Sequence, residues 1–448
     1  MTCALVVLAA GLGTRMQSDL PKVLHKIGNA PLLEHALASG RSLEPSRIVV
    51  VTGHGAAEVG EALETIAPEA EAVVQTEQLG TAHAVRAAEI ALADFEGDVF
   101  VLYGDTPFIL PETLAAMRAE RAAGADVVVL GFEASDPGRY GRLIRAADGS
   151  LNRIVEYKDA TPQEQAVTLC NSGVKCVSRA LLFSLLAEVS NDNAKGEYYL
   201  TDIVGLARER GLTASVVVCT EDETLGCDSR ADLASAEAIF QARQRAAALE
   251  NGVTLQDPNT TYFSLDTHLG RDVTVEPFVY FGPGVTVESG ATVKAFAHLA
   301  DTHIGADAQV GPYVRMRGNT EVGAEAKIGN FVETKNAQLA RGVKAGHLSY
   351  LGDTAIGEAT NIGAGTITCN YDGKLKHRTN IGERVFVGSN SALVAPVTLG
   401  DGAVVAAGST ITDDVGPDEL ALARGKQTNK SGAARIMERV RQLTAKRD

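Results

Sequence analysis

From Ile304 onward, aliphatic residues recur at every sixth position. They are Ile304, Val310, Met316, Val322 and Ile328, and then Ile381, Val387, Leu393, Leu399, Val405 and Ile411. Glycine often follows directly, at Gly305, Gly311, Gly323, Gly329, Gly382, Gly388 and Gly400. A helix repeats every 3.6 residues and a strand every two, so neither produces this spacing. Three hexapeptides make one triangular coil of a parallel β-helix with the recurring aliphatic inside, so the pattern predicts a solenoid. The frame slips by one near Leu351–Ile356, and about a dozen extra residues enter at Cys369–Asn380. Insertions into a solenoid emerge as loops on one face, often the binding face.

The first 230 residues keep a different rhythm. Short β-branched runs at Leu5–Leu8, Ile48–Val51, Val99–Tyr103, Val127–Leu130 and Val216–Val218 alternate with helically spaced segments at Glu58–Ile66, Ala82–Ala93 and Pro111–Ala123. Such βα alternation predicts a mainly parallel, Rossmann-like sheet with helices on both faces, which binds ligands at the carboxyl ends of its strands. Ser229–Glu250 is Ala-rich with no Gly or Pro and reads as a linker helix. The expected organisation is an α/β domain over 1–229, a linker helix over 230–250, a hexapeptide solenoid over 251–425 and a basic tail over 426–448.

The 448 residues carry a formal net charge of −15. An acidic chain lacks the basic footprint of a nucleic-acid or anionic-membrane binder, but a few local cations suffice for phosphorylated small molecules. Six scattered cysteines with no CxxC pair fit a reducing cytoplasm rather than a disulfide framework or zinc site. Met1–Ala10 is short, lacks a basic n-region and reads as a buried strand, not a signal peptide. The sequence holds no continuous apolar run long enough to span a membrane.

Strand Leu5–Leu8 runs into Ala9-Ala10-Gly11-Leu12-Gly13-Thr14-Arg15-Met16, with Pro21-Lys22 following. Glycines let backbone N–H groups approach phosphate oxygens, and Arg15 and Lys22 supply neutralising charge. The dinucleotide fingerprint fails because Met16 holds its third glycine position, and the Walker motif is absent. In the solenoid, Lys344-Ala-Gly-His347-Leu-Ser-Tyr350 interrupts the aliphatic rhythm, and Arg317, Lys335 and Lys376 are expected as unpaired cations at successive coils, a set suited to a sugar phosphate.

The glycine-rich turn with Pro-Lys resembles the signature of sugar-1-phosphate nucleotidylyltransferases. Further matches are Gln75-Thr-Glu-Gln-Leu-Gly-Thr81, Tyr103-Gly-Asp-Thr-Pro107, Tyr140-Gly-Arg142, Val155-Glu-Tyr-Lys-Asp159, Asn171-Ser-Gly173 and Gly196-Glu-Tyr-Tyr-Leu-Thr-Asp202. With these the whole chain resembles the bifunctional N-acetylglucosamine-1-phosphate uridylyltransferase/glucosamine-1-phosphate N-acetyltransferases. That resemblance implies a UTP and UDP-N-acetylglucosamine site formed by Leu8, Ala9, Ala10, Gly11, Arg15, Lys22, Gln75, Gly80, Thr81, Tyr103, Gly104, Asp105, Gly141, Glu156, Asn171, Tyr199, Thr201 and Asp228. Uracil and ribose would lie against Ala9–Gly11, Gln75, Gly80 and Thr81, and the sugar against Gly141, Glu156, Asn171, Tyr199 and Thr201. Asp105 and Asp228 would ligate Mg²⁺; the family pattern has Asn at the second position, so Asp228 is a departure that should alter the Mg²⁺ optimum.

For the solenoid the resemblance implies that His347 is the general base, and that Arg317, Lys335, Tyr350, Asn361 and Lys376 bind glucosamine-1-phosphate. Ala364, Asn370, Tyr371, Ser389, Ala407 and Arg424 would contact acetyl-CoA, the co-substrate. It further implies a left-handed β-helix, a homotrimer whose acetylation sites are completed by adjacent subunits, small-molecule partners only, and a cytoplasmic role in supplying peptidoglycan and lipopolysaccharide precursors. Two other readings compete: a single-activity nucleotidylyltransferase whose solenoid only assembles or regulates it, and a non-catalytic binding scaffold. A solenoid metal lyase would need three convergent histidines, and His298, His303, His347 and His377 lack that spacing.

Overall fold

The computed structural model describes residues 2–445, and the last three residues of the basic tail lie outside them. The chain divides into two compact units, residues 1–244 and 245–448.

The first unit is built on a nine-stranded sheet. Seven of its strands run in the spatial order Ala214–Cys219, Val127–Glu133, Leu169–Ser178, Asp98–Tyr103, Cys3–Ala9, Arg47–Thr52 and Glu71–Val74. All pairings are parallel except those of Leu169–Ser178, which is antiparallel to both neighbours. Cys3–Ala9 is buried along its whole length. Ala4, Val6 and Leu8 enter one core cluster, while Cys3, Leu5, Val7 and Ala9 enter the other. A strand covered on both faces has no polar face to alternate with, hence its continuous apolar run.

Two features depart from the sequence reading. Only Thr81–Arg86 of the segment at Ala82–Ala93 is α-helical. Beyond it the chain tightens into i→i+3 bonds (Ala88 N–H to Val85 O, Glu89 N–H to Arg86 O), burying Ala88 and Leu92 and leaving Ile90 exposed. The strand Leu169–Ser178 has no apolar signature because Asn171, Ser172, Gly173 and Lys175 interrupt it. Lys175 is fully buried, with Nζ donating to Gly173 O at 3.0 Å, and burial pulls its pKa down to about 8.

The second unit is a parallel β-helix of the left-handed hexapeptide kind. All eleven aliphatics of the six-residue frames lie in one continuous core, each 4% exposed or less. The frame is broken more often than near Leu351–Ile356 alone. Interior positions step by five at Leu299–Ile304, Thr334–Leu339 and Leu351–Ile356, and by thirteen at Thr368–Ile381. The insertion therefore adds seven residues to a regular step rather than a dozen, because Thr379–Ile381 is already regular strand. All of these irregular steps fall at the same corner of the triangle, and from Val275 to Ile411 the other two corners keep a spacing of six.

At one of the regular corners Phe278, Phe296, Tyr313 and Phe331 stack face to face, with ring centroids 5.1, 4.6 and 5.3 Å apart. Each is about half exposed and sits at positive φ. The tail carries a helix, Ala433–Thr444.

Candidate functional site

At the carboxyl ends of Cys3–Ala9 and Asp98–Tyr103 the chain makes two adjoining cavities. The first, about 380 Å³, is lined by Leu8, Ala9, Ala10, Gly11, Lys22, Gln75, Gly80, Thr81, Tyr103 and Asp105. Gly104 lies beneath it, donating to Leu8 O, and a Cβ there would press on Val23 and Leu33 at 3.2 Å. Gln75 is buried and bonds Gly80 O and His83 Nδ1. The segment 79–82 is zipped to 198–200 by backbone bonds and by Leu200 N–H donating to Thr81 Oγ1.

The second cavity, about 860 Å³, is lined by Arg15, Glu156, Tyr199 and Asp228 among others. Gly141 is packed within 3.7 Å of Ile154, Glu156 and Asn171 as judged from its missing Cβ, and Thr201 Oγ1 donates to Glu156 Oε1 at 3.2 Å. The Tyr199 hydroxyl is buried without a partner, so the pocket presents an unspent donor. Burial, with Asp159 and Glu156 nearby, pushes Tyr199 up to about 12, and burial beside Glu156 and Asp159 lifts Asp202 to about 6. Sequence reasoning passed over Gln78, Ala84 and Glu197 in the first cavity and Arg139, Lys158 and Lys195 in the second. Gln78, Lys158 and Glu197 lie inside the motifs that carry the resemblance; nothing in the sequence marks Lys195, whose ammonium sits over the Tyr199 ring.

The cavities meet at a cluster of four charges. Lys22 Nζ lies between a carboxylate oxygen of Asp105, in a close contact, and Asp228 Oδ1 at 2.9 Å. Arg15 holds the other oxygen, Asp228 Oδ2, at 2.8 Å. The turn is shaped for this: Gly13 is left-handed, and a Cβ there would strike Lys22 Cβ at 2.8 Å. Cys227 N–H donates to Asp105 O, which ties the Asp228 segment to the strand end. Two carboxylate oxygens already converging on one cation are the donor set a hard divalent ion takes, so these residues fit Mg²⁺.

The solenoid residues fall into columns because successive coils stack in register at repeats of 17 or 18 residues, lengthened to 25 where the insertion enters. Asn330 pairs in register with His347, and continuing that register places Ala364, Ser389 and Ala407 on the next coils. His347 Nδ1 donates to Asn330 Oδ1 at 2.7 Å, which leaves Nε2 as the free acceptor. Arg424 reaches back to Ala407 O at 2.8 Å.

Beside this column, Arg317 pairs in register with Lys335, and the inserted loop brings Lys376 against Lys335, depressing the Lys335 pKa. Arg317 is not unpaired as expected: Glu333 takes its NH2 at 2.7 Å, although its Nε is buried without a partner. Tyr350 OH accepts from Asn370 Nδ2, and Asn370 is itself drawn inward onto Asp353. Tyr371 is exposed, and Asn361 stands in register with Lys344, at the opposite end of that strand from His347.

Comparison with known proteins agrees with both halves. MobA-like NTP transferase domains match residues 5–201, six bacterial transferase hexapeptide repeats match 301–336, and the hexapeptide repeat of succinyl-transferases matches 378–413. Proteins named bifunctional protein GlmU are 60% identical in Jannaschia sp. strain CCS1, over 96% of this chain and 94% of theirs. Those of Ruegeria sp. strain TM1040 and Roseobacter denitrificans are each 58% identical, over 98% of both chains and over 100% and 99%, respectively. With the two sites described above carried on one polypeptide, the chain belongs to the GlmU family of bifunctional enzymes, joining a nucleotidyltransferase to a hexapeptide acyltransferase.

Proposed function

We propose that the chain makes UDP-N-acetylglucosamine in two steps, acetylating glucosamine-1-phosphate on the solenoid and then transferring uridylyl from UTP to N-acetylglucosamine-1-phosphate on the sheet domain. In the first step His347 Nε2, left free by the bond to Asn330, takes the proton of the 2-amino group as that nitrogen attacks the thioester of acetyl-CoA; the C–S bond breaks and the CoA thiolate leaves with that proton. Lys335, Lys376 and Arg317 bind the sugar phosphate; the convergence of three cations, with Lys376 against Lys335 and Arg317 in register beside it, supports this role. Ala364, Ser389 and Ala407 continue the His347 column and give the coenzyme a smooth track, with Arg424 at its end and the exposed Tyr371 as a further contact, while Asn361 belongs with the residues for the sugar phosphate.

In the second step the sugar phosphate oxygen attacks the α-phosphorus of UTP in line, and pyrophosphate leaves. The nucleophile is already anionic, so no general base is required; positioning and charge neutralisation carry the rate. Uracil occupies the cavity around Gln75, the sugar occupies the cavity around Glu156 and Asn171, and Arg15 and Lys22 hold the phosphates between them. Asp105 and Asp228 would hold Mg²⁺, which would supply further neutralisation of the triphosphate.

We place the enzyme in the cytoplasm as a homotrimer supplying cell-wall precursors. The exposed aromatic stack beside the His347 column supports assembly, since a contiguous apolar strip of this kind is favourably covered by another copy. Light scattering that returns a single chain mass would remove that part of the reading.

The observation that carries the two-step reading is the presence of both charge arrangements, the Lys22 cluster and the His347 column, on one chain. A coupled assay with glucosamine-1-phosphate, acetyl-CoA, UTP and Mg²⁺ tests it. His347→Ala should cut CoA release by about 10²-fold or more while sparing uridylyl transfer, and Asp105→Asn should do the converse. CoA release undiminished in His347→Ala would favour a solenoid that only assembles the protein.

A further inference from the structure

We propose that Lys22 holds the place of the divalent cation in the free enzyme, so that metal and triphosphate enter together by an exchange of partners among Lys22, Arg15, Asp105 and Asp228. The inference rests on the metal site assigned above and concerns what that site does before it is filled.

Lys22 Nζ touches both proposed metal ligands at once, and Asp228 gives its second oxygen to Arg15. Two positive and two negative charges thus form a closed group in which each already has a partner. The Lys22 side chain is only 12% exposed, so its ammonium has little water to retreat into. A divalent ion arriving alone must displace this ammonium from both carboxylates and leave it unpaired in a half-buried site, which is costly. A triphosphate arriving alone must draw Lys22 and Arg15 away and leave two bare carboxylates facing its own negative charge.

When both arrive, the carboxylates turn to the metal and the ammonium and guanidinium turn to the phosphates. Every charge then keeps an opposite neighbour, and neither single-ligand penalty is incurred. Linkage requires the coupling to be the same in both directions. Asp228 strengthens it in this chain, because an amide at that position would carry no charge to hold Arg15.

Mn²⁺ binding to the full-length chain, read from the electron paramagnetic resonance of the free ion, tests the exchange, with thermal melting of each variant followed by circular dichroism as the control for folding. Wild-type protein should bind Mn²⁺ alone weakly and about tenfold or more tightly with saturating UTP, after correction for the Mn²⁺–UTP complex in solution. Lys22→Met should tighten binding of Mn²⁺ alone by a similar factor, while weakening metal-free UTP in calorimetry. Asp228→Asn should release Arg15 and tighten metal-free UTP. If UTP fails to create a Mn²⁺ site that Asp105→Asn removes, the metal assignment itself is wrong. If that site exists but Lys22→Met leaves the affinity for Mn²⁺ alone unchanged, the assignment stands and the exchange is overturned.

Discussion

The two halves build their sites by opposite means. In the sheet domain, residues far apart in sequence (Lys22, Gln75, Asp105, Glu156, Tyr199 and Asp228) are folded into walls around cavities of about 380 and 860 Å³. In the solenoid, the residues are held at fixed intervals along a lattice, and His347 with Ala364, Ser389 and Ala407 forms a line on an outer corner. Enclosure fixes a ligand through many loops, each of which must fold; a lattice fixes residues through coil repetition and leaves the far wall to another molecule. The sheet site therefore depends on the local electrostatics of buried groups, while the solenoid site depends on register.

Three substitutions sharpen that contrast. Leu393 is fully buried in the solenoid core, so Leu393→Ala should cost about 2–5 kcal/mol by the usual toll of a core cavity. Denaturant unfolding should show the loss, with uridylyl transfer unchanged at temperatures where the solenoid melts; joint loss of both activities would show that the halves unfold as one.

Lys175→Met should act in the sheet domain with the opposite sign. The folded pKa of about 8 lies below the ordinary value of 10.5, so from pH 8 to 10.5 the unfolded chain keeps a proton that the folded chain sheds, and wild-type stability rises across this window. Below pH 8 both states are protonated and the full cost of burying the charge is present, on the order of 3 kcal/mol. The variant should thus melt higher at pH 7, with an advantage that shrinks toward pH 10. A variant that melts lower at pH 7 would mean the buried ammonium has gained more from Glu156 than burial has taken away.

The smallest effect is expected at Asn330, whose amide oxygen holds His347 Nδ1. Asn330→Ala should lower acetyl-transfer kcat about tenfold and shift its pH profile, with little change in KM. An unchanged pH profile would make Asn330 merely structural.

The legible parts of the molecule are those where a physical period survives in the sequence. Ile304 through Ile411 announce the solenoid because each must fill the same narrow interior, and Leu5–Leu8 announces a strand because both its faces are covered. The strand Leu169–Ser178 was hidden because its polar residues serve the site beneath Tyr103 and Glu156 rather than the core. Asn330 was hidden for a different reason: its relation to His347 is vertical, and a separation of 17 means contact only once the length of that coil is known. The pairing of Lys22 and Arg15 with Asp228 joins the ends of the domain, and no local pattern encodes it.

The irregular corner of the solenoid has an evolutionary consequence. Steps of five, six and thirteen residues all coexist there, and the aliphatic that follows each still enters the interior. A residue gained or lost at that corner changes the length of a surface turn, and the strands on either side of it keep their register. That corner is where this architecture takes an insertion, and the hairpin carrying Lys376 is an instance: it lies against Lys335 without breaking the register of the column from His347 to Ala407.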